Sequence, residues 1–174
     1  QRPSLRVLTV ALLLGLAACS PSGEWREMRP SSTGLVARFP CKPDAHARRL
    51  PLAGQTVELT LHACQHDGAT YALAAADVGD PRQVAPALAA LLEATQANLR
   101  AASAASAPAQ VPGMTPGPGA LRVGLQGRLP DGAPVAAVTA VFSHGTRVLQ
   151  ATVMGRPEGH ADVQTFLDGL RVQP

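Results

Sequence analysis

The sequence predicts an α+β domain built on an antiparallel β-sheet, and three observations support that class. Apolar and polar residues alternate in short segments separated by glycine-containing turns, as in β-hairpins. Only two segments have apolar residues at helical spacing, one near the middle of the chain and one near its end. Short turns join successive strands, which favours antiparallel pairing. We therefore expect an antiparallel sheet of about six or seven strands with two main helices.

Seven segments have the residue pattern of strands. The clearest is 55–65, in which Val57, Leu59, Leu61 and Ala63 share one face. The proline at the end of the first segment is expected to stop it, because proline cannot donate to a sheet ladder. The predicted strands are 34–40, a short strand within 46–54 that precedes a turn at Gly54, 55–65, 69–78, 120–129, 133–142 and 146–155.

The hairpin that joins 55–65 to 69–78 has two possible registers. A two-residue turn of Asp67 and Gly68 would pair Cys64 with Tyr71, whereas a three-residue loop over 66–68 pairs Ala63 with Tyr71. Only the longer loop brings the apolar residues of both strands onto one continuous face. A slip of one residue moves every side chain to the opposite face, so we predict the three-residue loop.

Two helices and one loop complete the predicted domain. Asp80 followed by Pro81 is typical of an N-cap and a first helical residue, and the helix is expected to reach about Ala102. The second helix is predicted over 160–170. Residues 103–120 are rich in alanine, serine, proline and glycine, and this composition predicts a flexible loop.

The N-terminal part of the chain has a separate character. Arg2 and Arg6 are followed by an uncharged apolar run over 7–18. Its twelve residues are too few to cross a bilayer, which takes about 20, but they suit the core of a signal peptide. The run ends in Leu-Ala-Ala-Cys at 16–19, and Ser20 follows.

This tetrapeptide resembles the lipobox of bacterial lipoproteins. The resemblance implies cleavage before Cys19, a diacylglyceryl group on its thiol and a further acyl chain on its amine. Ser20, in place of aspartate, implies sorting to the outer membrane as in Gram-negative lipoproteins. We therefore expect a signal peptide over 1–18, a lipidated tether over 19–33 and a single domain over 34–174.

The order of elements carries a second resemblance. An opening strand Gly-Leu-Val-Ala-Arg-Phe-Pro-Cys-Lys-Pro at 34–43, a hairpin, a helix, a meander and a closing Thr-Phe-Leu-Asp-Gly-Leu-Arg-Val at 165–172 resemble the PsbP-like α/β/α sandwich family. The resemblance covers about 34–172 and implies a PsbP-like sandwich. Members of that family usually act as binding or assembly subunits, and no catalytic residue is carried over.

Two cysteines remain once Cys19 is assigned to the lipid. Cys41 and Cys64 form an even pair in a chain expected in the oxidising periplasm, which indicates a disulfide. The alternative is a metal site, because His62, Cys64 and His66 alternate along one strand and their side chains would share a face. A cysteine in a disulfide cannot be a thiolate ligand, so the two interpretations exclude each other.

Charge and composition restrict the classes of function that this chain can have. Without the two leader arginines the chain has 13 basic and 12 acidic residues, and only 3% of its residues are aromatic. Such a chain has no nucleic-acid surface. We expect a non-enzymatic, cofactor-free binding or assembly protein on the periplasmic side of the outer membrane, anchored at Cys19, with a possible envelope protein partner. The alternative is a periplasmic metal-binding protein using His62, Cys64 and His66.

Overall fold

A computed structural model describes residues 24–173, and within that range the chain forms ten strands and two helices. The strands are β1 (Arg26–Met28), β2 (Leu35–Phe39), β3 (Asp44–Leu52), β4 (Gln55–His66), β5 (Ala69–Asp77), β6 (Ala102–Pro108), β7 (Leu121–Arg128), β8 (Pro134–His144), β9 (Arg147–Met154) and β10 (Arg171–Val172). The helices are α1 (Pro81–Leu99) and α2 (Ala161–Leu167). Seven strands form one antiparallel sheet in the order β3-β4-β5-β9-β8-β7-β6, and β1-β2-β10 form a small second sheet.

The predicted fold class is wrong in its balance of helix and strand. Strands take up 50% of the structure and helices 17%, so the domain is mainly β rather than α+β. Three of the strands, β1, β6 and β10, come from segments that have no clear alternation of apolar and polar residues. The arrangement fits the predicted PsbP-like sandwich only loosely, and it is not a clear match to that fold.

The large sheet is covered on both faces. Helix α1 packs on one face, and the small sheet together with α2 packs on the other. As a consequence, four successive residues at the centre of β5, from Leu73 to Ala76, are all buried. The core under α1 includes Leu59, Ala76, Leu88, Leu91 and Val148, and the core under the small sheet includes Leu35, Phe39, Tyr71, Leu73 and Phe166.

Most of the aromatic side chains meet under the small sheet. The ring centroids of Trp25 and Tyr71 are 5.5 Å apart, those of Tyr71 and Phe166 are 5.5 Å apart, and those of Phe166 and Phe39 are 5.0 Å apart. All three contacts are edge-to-face, the arrangement that suits the ring quadrupoles. The cluster joins the N-terminal segment, β2, β5 and α2.

The predicted hairpin register is also wrong. Strand β4 pairs Cys64 with Tyr71, and the turn is the two-residue Asp67-Gly68 with φ values of 48° and 73°. Both residues are in the left-handed region, as the tight hairpin requires. The prediction assumed one apolar face, but β4 is buried by α1 along its first half and by the small sheet along its second. His66 therefore belongs to the strand and not to a loop.

Part of the predicted tether lies in the folded domain. Strand β1 pairs with β2 and Trp25 packs on Tyr71, so the packed structure includes residues well before 34. The predicted signal peptide and Cys19 lie outside the described residues.

The predicted loop over 103–120 is corrected for 103–108, which belong to β6 and pair with β7 at the edge of the large sheet. The rest of the segment contains no strand, but Ala109, Val111 and Ala120 are buried in the core. Thr115 also donates its amide proton to the carbonyl of Ser143 at 2.7 Å. This part of the chain is therefore packed onto the domain.

Helix α1 begins as its sequence predicts. The Asp80 carboxylate accepts the amide proton of Arg82 at 2.9 Å, and Pro81 is the first helical residue. The helix ends at Leu99, where Arg100 adopts a left-handed conformation, and Pro86 lies within it. In residues 24–173, no helix combines the length and the apolar character that crossing a membrane requires.

Gly127 in β7 allows the end of α1 to approach the sheet, and we expect Gly127→Ala to destabilise the domain. A Cβ there would collide with the Leu99 carbonyl oxygen and lie 2.9 Å from the Ala101 Cβ. Because backbone has to move, the expected loss is about 1–3 kcal/mol in urea unfolding. Gly117→Ala is the matched control, since nothing lies within 4 Å of its Cβ position. Equal midpoints for the two variants would contradict the prediction.

Candidate functional site

The two cysteines of the domain form a disulfide, as predicted. Cys41 follows β2 and Cys64 lies in β4, and their sulfur atoms are 2.09 Å apart with a Cα–Cα distance of 6.1 Å. That Cα–Cα distance is ordinary for a disulfide. The bond ties the small sheet to the large one. It also removes Cys64 from the set of possible thiolate ligands.

His62 has a structural partner. Its side chain is buried, with 5% of the residue exposed, and its Nε2 lies 2.9 Å from the carbonyl oxygen of Ser31. A carbonyl oxygen only accepts, so Nε2 carries the proton and donates it. Thr33 shapes the same turn, because its Oγ1 donates to the Pro30 carbonyl at 2.7 Å and accepts from the Leu35 amide at 3.1 Å. His62 thus holds the β1–β2 turn against the large sheet.

The predicted metal-binding trio is divided among three roles. His62 and Cys64 do lie on one face of β4 together with His66, as their spacing predicts. However, His62 bonds to Ser31, Cys64 bonds to Cys41, and half-buried His66 lies at the mouth of a cavity near Lys42. Among residues 24–173 no group of three or more histidine, cysteine, aspartate or glutamate side chains could hold a metal ion.

An open groove lies beside the end of β6. It has a volume of about 880 Å³, and its apolar wall includes Val111, Pro112, Met114 and Pro116. This groove was not predicted, because the segment that forms its wall was expected to be a flexible loop. The only sequence signal was the group of prolines and one methionine among the small residues of 108–117.

Arg122 forms the charged side of the groove. Its guanidinium donates to Asp168 at 2.6 Å and to Glu158 at 2.7 Å, and its Nε is buried without a hydrogen-bond partner. Burial disfavours the charged form, but the hydrogen bonds that Arg122 donates to these two carboxylates prevail and raise the pKa of Arg122. The groove therefore offers apolar contact beside an ion cluster in which Arg122 is compensated by Asp168 and Glu158.

A second polar cluster lies where β5 meets α2. The Tyr71 hydroxyl donates to the Asp162 carboxylate at 3.2 Å, and Arg156 lies 3.8 Å from the same carboxylate and donates to the Asp67 carbonyl. Burial, together with the charge and hydrogen bond of Asp162, raises the pKa of Tyr71 to about 12. Tyr71 therefore keeps its proton at neutral pH and acts as an anchor between the sheet and α2.

The raised pKa of Tyr71 predicts a loss of stability at high pH. The unfolded phenol ionises near pH 10 and the folded one near 12, so the stabilisation is complete below about pH 10 and disappears as the pH rises to about 12. Tyr71→Phe should remove this part of the pH dependence and cost about 1 kcal/mol at pH 7. Urea unfolding across pH gives the comparison. Tyr71 is the only tyrosine, so phenolate absorbance reports its titration directly; ionisation near pH 10 in the folded chain would contradict the assignment.

The disulfide and the hydrogen bond of His62 each predict a loss of stability on substitution. Cys64→Ser should lose about 3 kcal/mol, because a cross-link is removed from the unfolded state. His62→Ala should lose about 1–3 kcal/mol, because it breaks a buried hydrogen bond, and not the small amount expected of a solvated strand face. Thermal unfolding of the wild type should respond to reductant and be insensitive to chelator. A midpoint that falls with chelator and ignores reductant would restore the metal-site interpretation.

Comparisons with protein families and with curated proteins identify no relative of this chain. No protein-family model matches the chain. A search of curated proteins likewise finds no significant match. The function must therefore be argued from the residues and contacts described above.

Proposed function

We propose that the chain is a lipid-anchored periplasmic protein of the outer membrane with a non-enzymatic binding or assembly role. The observation that carries this proposal is the Cys41–Cys64 disulfide. Structural disulfides are typical of proteins that fold in oxidising compartments such as the periplasm. That compartment is also the one implied by the lipobox-like segment at 16–19. Two separate parts of the sequence thus support the same location.

Three polar side chains, one beside the groove and two buried elsewhere in the domain, support a role in binding rather than in chemistry. Arg122 is neutralised by Asp168 and Glu158, so it does not offer a free cation to a substrate. Tyr71 keeps its proton, and His62 donates its Nε2 proton to a carbonyl. These three groups are therefore committed to structural partners rather than to acid–base chemistry.

The proposed anchor predicts a mass and a location for the mature protein. The full chain, produced in a Gram-negative host, should begin at Cys19, carry diacylglyceryl and acyl groups, and fractionate with the outer membrane. Cys19→Ser should remain as an unlipidated precursor, because no thiol is left to accept the lipid. Mass spectrometry of the N-terminal peptide and membrane fractionation give both readouts.

Ser20→Asp is the matched control for the sorting step. It should leave the lipid on Cys19 and move the protein away from the outer membrane, because the outer-membrane expectation depends on the residue at position 20. A Cys19→Ser chain that is still cleaved after Ala18 and still fractionates with the outer membrane would overturn the proposal.

A further inference from the structure

The outer face of the small sheet, which is turned away from the large sheet, carries exposed arginines. Arg38 in β2 is the direct partner of Glu27 in β1, so these two side chains lie on the same face. Arg171 in β10 reaches across β2 and donates to the Glu27 carboxylate at 2.7 Å. Arg29 directly follows β1 and is exposed. We call Arg29, Arg38 and Arg171 the arginine face.

The arginine face has an excess of positive charge. The hydrogen bond from Arg171, with the charges of Arg171, Arg29 and Arg38, holds the pKa of Glu27 below its usual value. One carboxylate therefore lies among three guanidinium groups. Neither Arg29 nor Arg38 has a carboxylate within 4.0 Å in the part of the chain that the structure describes. Two positive charges remain for an external partner.

Positive charge is concentrated on this side of the protein. The small sheet and its flanking segment, 24–42 with 171–172, contain five basic and two acidic residues. The remainder of 24–173 contains eight basic and ten acidic residues, so its net charge is negative. A nearly neutral chain with this distribution will turn its small sheet toward an anionic surface. The basic residues are Arg26, Arg29, Arg38, Lys42 and Arg171.

We propose that the arginine face binds the anionic phospholipid headgroups of the membrane that holds the chain, so that the small sheet lies against the bilayer. This inference rests on the proposed lipid anchor at Cys19. Only the four residues 20–23 separate that cysteine from Glu24. At about 3.5 Å per residue, the span from Cys19 to Glu24 is at most about 17 Å. The anchor therefore keeps β1, and with it the arginine face, close to the headgroups.

The binding of unlipidated protein to vesicles isolates this contribution. An arginine near an anionic surface changes the affinity about fivefold, so three of them are expected to contribute about a hundredfold. The protein for the test is the mature chain 19–174 with Cys19→Ser, in its oxidised form, since every described strand and helix lies within it. The probes are vesicles of equal parts phosphatidylglycerol and phosphatidylcholine, and vesicles of phosphatidylcholine alone.

The expected result is sedimentation with the phosphatidylglycerol vesicles and not with the neutral ones, weakened by added salt. Arg29→Gln, Arg38→Gln and Arg171→Gln together should reduce the affinity about a hundredfold. Glu27→Gln should increase the affinity, because it removes the one negative charge of the face, and it tests the proposal without removing any arginine. Thermal unfolding of each variant verifies that it is folded.

A triple variant elsewhere on the surface controls for total charge. Arg48→Gln, Arg82→Gln and Arg100→Gln change the net charge equally, and all three side chains are exposed on β3 or at the ends of α1. This variant should bind nearly as well as the wild type. Equal losses in the two triple variants, or no preference for anionic vesicles, would overturn the arginine face even if Cys19 is lipidated. Binding by the face in a chain that is never lipidated would instead overturn the anchor.

Discussion

The structure depends on the contact between one aromatic cluster and the centre of the large sheet. Interior strand β5 is buried on both faces, so the sheet needs a cover on the side opposite α1. Trp25, Phe39 and Phe166 provide the centre of that cover. Tyr71 of β5 packs between Trp25 and Phe166. These rings supply large contact areas in a core whose other residues include many alanines and valines.

The polar residues that looked like a ligand set hold the same two layers together. The disulfide joins the end of β2 to β4, and His62 ties the β1–β2 turn to that strand two residues earlier. On the other side of the aromatic cluster, the Tyr71 hydroxyl donates a hydrogen bond to Asp162 in α2. A histidine and a cysteine spaced by two share a strand face whether they bind a metal or support a layer. A metal site and a structural contact differ only in what the two side chains bind: a metal ion, or a residue of the opposite layer.

The sequence was informative where local chemistry decides the structure. Asp80 and Pro81 set the start of α1, and alternation revealed seven strands of the large and small sheets. The sequence was uninformative where pairing with a neighbouring strand decides the structure. Strand β6 is made of alanine, serine and proline, and it is a strand only because β7 lies beside it. The predicted register at Cys64 was wrong for a related reason. The sequence of a single strand does not reveal that different layers bury its two halves. The groove was missed because its wall lies within 103–120, which was predicted to be a flexible loop.

These ties have a consequence for how a membrane anchor would act on the domain. Trp25 is packed into the aromatic cluster only a few residues from the proposed lipid site, and β1 is paired along its length with β2. The disulfide and His62 then fix β2 and its turn to the large sheet. An anchor at Cys19 would therefore lie only a few residues before a strand that is tied to the large sheet. In that arrangement the charges of the small sheet, rather than the linker, set which side of the domain meets the bilayer.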